Sequence, residues 1–363
     1  MGTSLSIPKL RSRATSEEGS EEKERNMLRN GGMLLEELLH SCDGKYNPFP
    51  IFSAQDLVIA TNHYSHLFCE DYRSYKIYRG SSNGRPILVK SYYKYIENGI
   101  NDIVFASQLN NHNNIHMLLG CCLETEYPIL VFEYPENGLL SDHIFGDHHH
   151  QPLPWDCRLK VAKEVADALA YLHTGLSMPI IHRHVKPLNI YLDGNYVAKL
   201  SDFSLSVSIP PGEEYVETLR VEGTIGYLAP EYFQTSRATE KCDVYSFGSL
   251  LIEILSGEEI MYFRLPSMIG DKPDIDSILA SCGAFLEEED MPQLDQFIIE
   301  RATNYMGADI TLEDQYKLSM AWRLASKCHS RNPEERPTMT QVAKEIRRII
   351  KFQSISPTTH HAC

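Results

Sequence analysis

The chain has 363 residues, of which 42% are hydrophobic and 23% charged, and its formal net charge at pH 7 is −15. These are values of a globular protein, so they argue against wholesale disorder, and the length suffices for one two-lobed unit or two ordinary domains. The acidic balance argues against a nucleic-acid-binding protein, which usually carries a basic face.

The first six residues match M-G-x-x-x-[ST], the pattern for N-myristoylation, so Gly2 is a candidate lipidation site. A single myristoyl chain binds membranes weakly, and the few basic residues that follow are opposed by four glutamates. The alternative is an unmodified tail. No apolar run is long enough to span a bilayer, and the amino terminus lacks the apolar core of a signal peptide. We therefore expect a cytoplasmic protein, with peripheral contact to the plasma membrane if Gly2 is acylated.

Residues 1–20 are rich in serine and glutamate, which predicts a disordered tail. Leucines then recur at helical spacing, which predicts a helical extension over 21–51, formed by one helix or by two separated at Gly31-Gly32. This apolar stripe either packs on the first lobe of the chain or is partly presented to a partner helix or groove. Its members are Met27, Leu28, Leu34, Leu35, Leu38 and Leu39.

The remainder predicts an α+β fold with two lobes over 52–352, followed by a flexible tail at 353–363. A small β-rich N-lobe (52–135) begins with a capped helix at Ser53, and a larger helical C-lobe (136–352) follows. The strands are predicted at 75–79, 86–91, 116–120 and 129–133, and the helices at about 101–109, 159–173, 244–256, 315–328 and 339–350.

The helical part contains a motif with the spacing of a protein-kinase catalytic loop, H-R-D-x-K-x-x-N, followed by the position of the metal-binding D-F-G. The aspartate of that loop accepts the substrate hydroxyl proton, and here a histidine takes its place. An imidazole can accept a proton but lacks the negative charge of a carboxylate, and a general base contributes about 10²–10⁴-fold to a rate. The residues at the four positions are His184, Lys186, Asn189 and Asp202.

Seven motifs in the correct order make residues 52–350 resemble a eukaryotic protein kinase of the plant receptor-like class. The motifs are Val89-Lys90, LLGCCLE, HRHVKPLN, SDFS, GTIGYLAPEY, DVYSFG and ERP. Three longer stretches narrow the resemblance: NGGMLLEELLHSCDGKYNPFPIFSAQDLVIATNHY, YKIYRG without its preceding glycines, and HRHVKPLNIYLDGNYVAKLSDFSLSVSIPPGE. In these the chain is similar to the ZED-related kinase family of plant receptor-like cytoplasmic pseudokinases.

The resemblance implies a degraded nucleotide site. The three glycines of the phosphate-covering loop are replaced by Glu70, Tyr72 and Tyr75, which removes the close approach of backbone amides to phosphate. Lys90 would pair with Asp102 instead of a glutamate, so the pair would need an inward helix, would be longer, or would be an ordinary surface pair. In the hinge, Pro135 lacks the N–H that usually meets adenine. The residual pocket would comprise Lys90, Asp102, Glu133, Lys186, Asn189 and Asp202.

We therefore expect catalytic activity to be lost and no cofactor to be required, with weak binding of ATP and magnesium at most. The scaffold is retained, since Glu231 and Arg336 stand where the family forms a buried ion pair, and Asp243 stands where it binds the catalytic-loop backbone. The alternative is a weakly active serine/threonine kinase that binds ATP.

The family implies an adaptor in plant innate immunity. Its partners would be a coiled-coil nucleotide-binding leucine-rich-repeat receptor, receptor-like cytoplasmic kinases and pathogen effector proteins. Residues expected to dock on the receptor are Gly31, Gly32, Leu34, Leu35, Leu38 and Leu39. Residues expected to face a partner kinase are Tyr215, Thr218 and Thr224.

Overall fold

The computed structural model describes residues 9–42, 48–71, 74–146, 153–260 and 311–352, without the side chains of 9–18 and 42. The predicted α+β class is confirmed. The chain divides into two compact units, each treated by itself below. One contains Asn111 and the residues before it together with His116–Tyr134, and the other contains His112–Ile115 and the residues from Pro135 onwards.

The first unit contains a five-stranded antiparallel sheet in the order β1-β2-β3-β5-β4. Asn83 and Gly84, both with positive φ, join β2 to β3 in the two-residue turn whose twist suits a hairpin. The fourth strand begins two residues later than the sequence pattern predicted, because its first cross-strand pair is Leu118 with Phe132. The strands are β1 (Leu67–Asp71), β2 (Tyr75–Ser82), β3 (Arg85–Tyr92), β4 (Leu118–Cys122) and β5 (Ile129–Glu133).

Three helices accompany this sheet: α1 (Lys9–Cys42), α2 (Ala54–Ala60) and α3 (Ile96–Leu109). Helix α2 begins at the predicted cap, where Ser53 and Asp56 exchange backbone-to-side-chain hydrogen bonds of 3.1 and 3.3 Å. Helix α3 begins five residues before the predicted start and includes Gly99. A Cβ at Gly99 would lie 2.6 Å from the ring of Pro128, so the glycine allows close packing that compensates for its low helix propensity.

Helix α1 decides between two alternatives and corrects one expectation. It is one helix, continuous through Gly31-Gly32, and its backbone is helical from Lys9, within the part predicted to be disordered. Asn30 is buried and donates through Nδ2 to the carbonyls of Leu123 and Thr125, both at 2.9 Å. These bonds anchor α1 to the turn between β4 and β5, a tertiary constraint that composition could not predict.

The second unit is mainly helical: α4 (Leu140–Phe145), α5 (Trp155–Thr174), α6 (Pro230–Thr235), α7 (Glu240–Ser256), α8 (Leu312–Cys328) and α9 (Met339–Ile350). Three short antiparallel pairs complete it: β6 (Ile180–Ile181) with β9 (Val207–Ser208), β7 (Ile190–Leu192) with β8 (Ala198–Leu200), and β10 (Val216–Glu217) with β11 (Arg237–Ala238). Helices α7 and α8 begin three to four residues before their first predicted residue, and each starts directly after a threonine N-cap. Within the described ranges, no helix combines the length and apolar content needed to cross a membrane.

Candidate nucleotide and catalytic site

Lys90 is buried and contacts three side chains of the first unit, those of Asp102, Tyr92 and Tyr75. Its Nζ lies 2.8 Å from Oδ2 of Asp102, and the Tyr92 hydroxyl donates to the same oxygen at 3.0 Å. The Lys90 and Asp102 side chains are 4% and 0% exposed, so the interpretation as an ordinary surface pair is wrong. Helix α3 lies close enough to the sheet for the shorter aspartate to reach the lysine, and the pair is not lengthened.

Tyr75 covers the Lys90 ammonium from another side. It occupies the place of the third glycine, is buried, and has its ring centroid 3.9 Å from Nζ. Such a contact is worth about 2 kcal/mol when desolvated. Tyr75 is directly opposite Tyr92 in the β2–β3 register, and their rings meet edge to face at 5.5 Å. The lysine therefore has a carboxylate as one neighbour, as in an active kinase, and an aromatic face as another, and the aromatic face is the contact that a phosphate would have to displace.

The other two glycine positions are occupied by Tyr72 and Glu70. Tyr72 lies outside the described residues. Glu70 lies opposite Lys76 in the β1–β2 register, with 3.4 Å between carboxylate and ammonium. Lys76 is therefore neutralised by Glu70 and is less available to bind phosphate in place of the missing backbone amides.

Glu133, the predicted hinge contact, is bonded within its own unit. Nε2 of His116 lies 2.9 Å from the Glu133 carbonyl oxygen, and since a carbonyl can only accept, the ring nitrogen donates. The His116 ring is stacked on Phe132 at 4.9 Å. The Glu133 carboxylate accepts from the Met117 amide at 3.2 Å. The side chain is therefore part of the sheet edge, and a purine would compete with His116 for the carbonyl.

In the second unit, Asp243 fixes the catalytic-loop backbone as the resemblance implied. Its carboxylate accepts from the amides of His182 at 2.8 Å and Arg183 at 2.9 Å, and from Nε2 of His173 at 2.9 Å. Burial alone would raise the pKa of Asp243, but the bonds with His173 and His182 outweigh it and lower the pKa. Burial lowers the pKa of His182 to about 4, so this ring is neutral at physiological pH. The Asp243 charge is compensated by backbone dipoles and by His173.

His184 is bonded through both ring nitrogens. Nδ1 lies 3.0 Å from Oδ2 of Asp202, and Nε2 lies 3.3 Å from Oγ1 of Thr224. Nζ of Lys186 also donates to Oγ1 of Thr224 at 3.3 Å, and Nδ2 of Asn189 donates to the His184 carbonyl at 2.7 Å. The predicted residues of this loop are therefore brought together, but the histidine contacts the aspartate expected to bind metal.

The kinase fold implies magnesium, and the donor set of this unit does not fit it. Magnesium requires oxygen ligands in near-octahedral geometry at about 2.0–2.1 Å. One oxygen of Asp202 already accepts a hydrogen bond from the His184 ring, which lies where a cation would approach that oxygen. We therefore derive no step through a metal.

The structural ion pair implied by the resemblance is present. Arg336 donates from Nη1 and Nη2 to the two carboxylate oxygens of Glu231 at 2.6 and 2.8 Å. It also donates to the carbonyls of Ser330 and Lys241, at 2.7 and 2.9 Å, and its guanidinium lies 4.9 Å from the Tyr245 ring centroid. The arginine is thus satisfied by a bidentate pair and by backbone, which is the requirement for a buried charge.

The predicted receptor-docking residues fall on two faces of α1. Leu34 and Leu38 are 7% and 6% exposed and pack within the first unit, whereas Leu35 and Leu39 are 59% and 61% exposed. Gly31 and Gly32 are on the less crowded side, since a Cβ added at either would have no atom within 4 Å. Leu28, which was not among the predicted docking residues, shares the exposed face, at spacing 28, 32, 35, 39 around Gly32.

The three residues predicted to face a partner kinase have partners within the second unit. Thr218 Oγ1 lies 3.0 Å from the Tyr232 hydroxyl, and Thr224 is bonded as described above. The Tyr215 ring lies 4.5 Å from the guanidinium carbon of Arg237. Between the two threonines, Leu219 is fully exposed, and sequence analysis did not single it out.

Sequence analysis also missed Tyr92 and His116 as site residues. Tyr92 follows Lys90 by two positions on one strand, so the period of two could have placed both on one face. No local pattern pointed to His116, whose role depends on pairing between β4 and β5. Gly2, the predicted lipidation site, lies outside the described residues.

A model of the protein kinase domain family matches residues 86–346. Three relatives from Arabidopsis thaliana align over nearly the whole chain. Serine/threonine-protein kinase ZRK1 is 36% identical, covering 94% of this chain and 96% of the relative. Non-functional pseudokinase ZRK2 is 37% identical (93% and 95%), and non-functional pseudokinase ZED1 is 37% identical (92% and 98%). One of these names describes a kinase and two describe pseudokinases, so activity has to be argued from the residues of this chain.

Proposed function

We propose, since the chain belongs to the protein kinases and within them to the ZED-related kinase family, that it is a catalytically impaired pseudokinase that serves as an adaptor in plant innate immunity. It would link a coiled-coil nucleotide-binding leucine-rich-repeat receptor to pathogen effectors, either directly or through effector-modified receptor-like cytoplasmic kinases.

The observation that carries this proposal is the enclosure of Lys90. In an active kinase this lysine pairs with the phosphates and with a glutamate. Here a fully buried Asp102 and the Tyr75 ring occupy its surroundings, and Tyr75 replaces a glycine whose absence also removes the phosphate cradle. Binding of ATP would require the lysine to give up its contact with the Tyr75 ring, so the affinity for ATP should be low.

The second candidate is a weakly active serine/threonine kinase, favoured by the name of one relative and by the retained Asp202 and Asn189. The two are separated by incubating the purified chain with labelled ATP, magnesium and a generic substrate, with Lys90→Met as control. The adaptor proposal expects equal, background incorporation in both proteins. Incorporation that depends on Lys90 would establish the second candidate instead.

For the receptor we propose the exposed face of α1, which consists of Leu28, Gly32, Leu35 and Leu39. These residues follow the 4-3-4 spacing of a helix face, and Gly32 allows close approach of a partner backbone. Leu34 and Leu38 instead pack within the first unit, so the helix is held in place while the opposite face stays exposed.

For the partner kinase we propose the loop around Leu219, between the anchored Thr218 and Thr224. Its exposed leucine is held on a segment whose neighbours are bonded, which lowers the entropy lost on binding. The interaction would thus be made by this side chain rather than by the predicted threonine hydroxyls.

Both surfaces are tested by co-purification from leaf tissue expressing the tagged chain. Leu35→Glu should lose the receptor and keep the kinase, whereas Leu219→Glu should show the reverse. Leu312→Glu is the matched control, because it places the same charge at an exposed leucine of α8. Retention of the receptor by a folded Leu35→Glu protein would refute the α1 surface. Mass spectrometry of Gly2 from the same material tests whether acylation supports membrane contact.

A further inference from the structure

Four side chains of the second unit form one hydrogen-bonded group, which we name the His184 bridge: His184, Asp202, Thr224 and Lys186. It joins the catalytic loop, the second residue after β8 and the loop before α6. The His184 and Asp202 side chains are 7% and 4% exposed. The contact between His184 and Asp202 is therefore interior, and the two bonds to Thr224 are partly buried.

The hydrogen-bond directions in the bridge are mutually consistent. A carboxylate only accepts, so Nδ1 of His184 donates to Asp202. An ammonium only donates, so Thr224 Oγ1 accepts from Lys186 and can direct its own hydrogen to Nε2 of His184. A neutral imidazole can thus make both hydrogen bonds, to Asp202 and to Thr224. The Asn189 amide donates to the His184 carbonyl. With aspartate at position 184, two carboxylates would instead face each other and require a cation.

We propose that His184 takes the place of the metal of the kinase fold. One ring nitrogen binds the Asp202 carboxylate, and the other holds the loop at Thr224 in place without metal, nucleotide or phosphorylation. The proposal concerns the isolated chain, so it stands or fails independently of the immune partners. It accounts for a retained Asp202 without assigning it a catalytic role.

The first test is metal binding by the full chain, using Mn²⁺ as a probe followed by the electron paramagnetic resonance of the free ion. The wild type should bind no more Mn²⁺ than Asp202→Asn. His184→Asp and His184→Ala should each gain a site that the added Asp202→Asn change removes. At 10 mM Mg²⁺ and a millimolar Kd, the gained site should raise the Tm by about 2–4 °C, a shift absent from the wild type.

Binding of Mn²⁺ by the wild type that disappears in Asp202→Asn would overturn the proposal. So would folded His184 variants that gain no site, since the ring would then not be what excludes the metal. If neither His184 variant folds, Mn²⁺ binding by the wild type above the level of Asp202→Asn would still overturn the proposal, and hydrogen exchange of Thr224→Val keeps the bonding of the loop open to refutation.

The second test is hydrogen exchange of the amides at 223–228, without metal or nucleotide. His184→Ala and Thr224→Val should each raise exchange in this segment about tenfold or more. Thr218→Val is the matched control, because its hydroxyl contacts Tyr232 and the Ser236 carbonyl rather than the bridge, and it should leave this segment unchanged. Equal exchange in all four proteins would show that the bridge does not hold the loop.

Discussion

Replacing Asp102 by asparagine removes the carboxylate that compensates the Lys90 charge, and the size of the effect follows from the geometry. At 2.8 Å, and at the effective dielectric constant of about 20 that suits protein sites, the Coulomb attraction is roughly 6 kcal/mol. Desolvation of both groups offsets several kcal/mol of it. Removing one partner leaves a buried charge, so Asp102→Asn and Lys90→Met should each destabilise the first unit by about 3–5 kcal/mol.

A double-mutant cycle separates the pair from its surroundings. With both changes present no charge is left unpaired, so the double variant should be about 2–3 kcal/mol more stable than the sum of the single effects predicts. Glu97→Gln on the same helix removes an exposed carboxylate and should change stability by no more than about 0.5 kcal/mol.

The measurement must report on the first unit. Both tryptophans, Trp155 and Trp322, belong to the second unit, so their fluorescence would follow the other transition. Urea unfolding should be followed by far-UV circular dichroism together with hydrogen exchange in β3 and α3. Single effects below about 1 kcal/mol that simply add would refute the reasoning. The lysine would then be solvated and accessible to phosphate, and the argument for weak ATP binding would lose its basis.

Two further predictions concern the second unit. Glu231→Gln should destabilise the second unit by about 2–4 kcal/mol, because Arg336 keeps its charge and loses a bidentate partner that is about a fifth exposed. Urea unfolding followed by tryptophan fluorescence measures this loss, and a value below about 1 kcal/mol would contradict a structural role for the ion pair. The pKa of His182 is about 4 when folded and 6.5 in the reference state, so the unfolded chain binds the extra proton below pH 6.5. The stability that comes from the neutral, buried His182 is therefore complete above pH 6.5 and falls by about 2 kcal/mol between pH 7.5 and 5. His182→Gln should reduce this dependence of the unfolding free energy on pH.

Fold class and element order could be predicted because they depend on local patterns. Short apolar runs in β3 and β5 predicted strands, and the Ser53–Asp56 spacing predicted a helix start that the structure contains. Boundaries were less accurate where apolar periodicity was the guide, since the threonine N-caps directly before α7 and α8 were not used to place the helix starts. Whether α1 is one helix or two was left open by the sequence, because the Asn30 bonds that hold it to a turn about 95 residues away in the chain are tertiary contacts.

By itself, the sequence determined that this is a kinase-like chain with altered catalytic residues, since motif order and residue identity are properties of the chain alone. Only the tertiary structure decided what the altered residues do instead. Tyr75 meets Lys90 because β2 and β3 pair in one register, and His184 meets Asp202 because two loops converge. The physical reason is that hydrogen bonds and ring contacts act over 3–5 Å, so their partners are set by chain packing and not by separation along the chain.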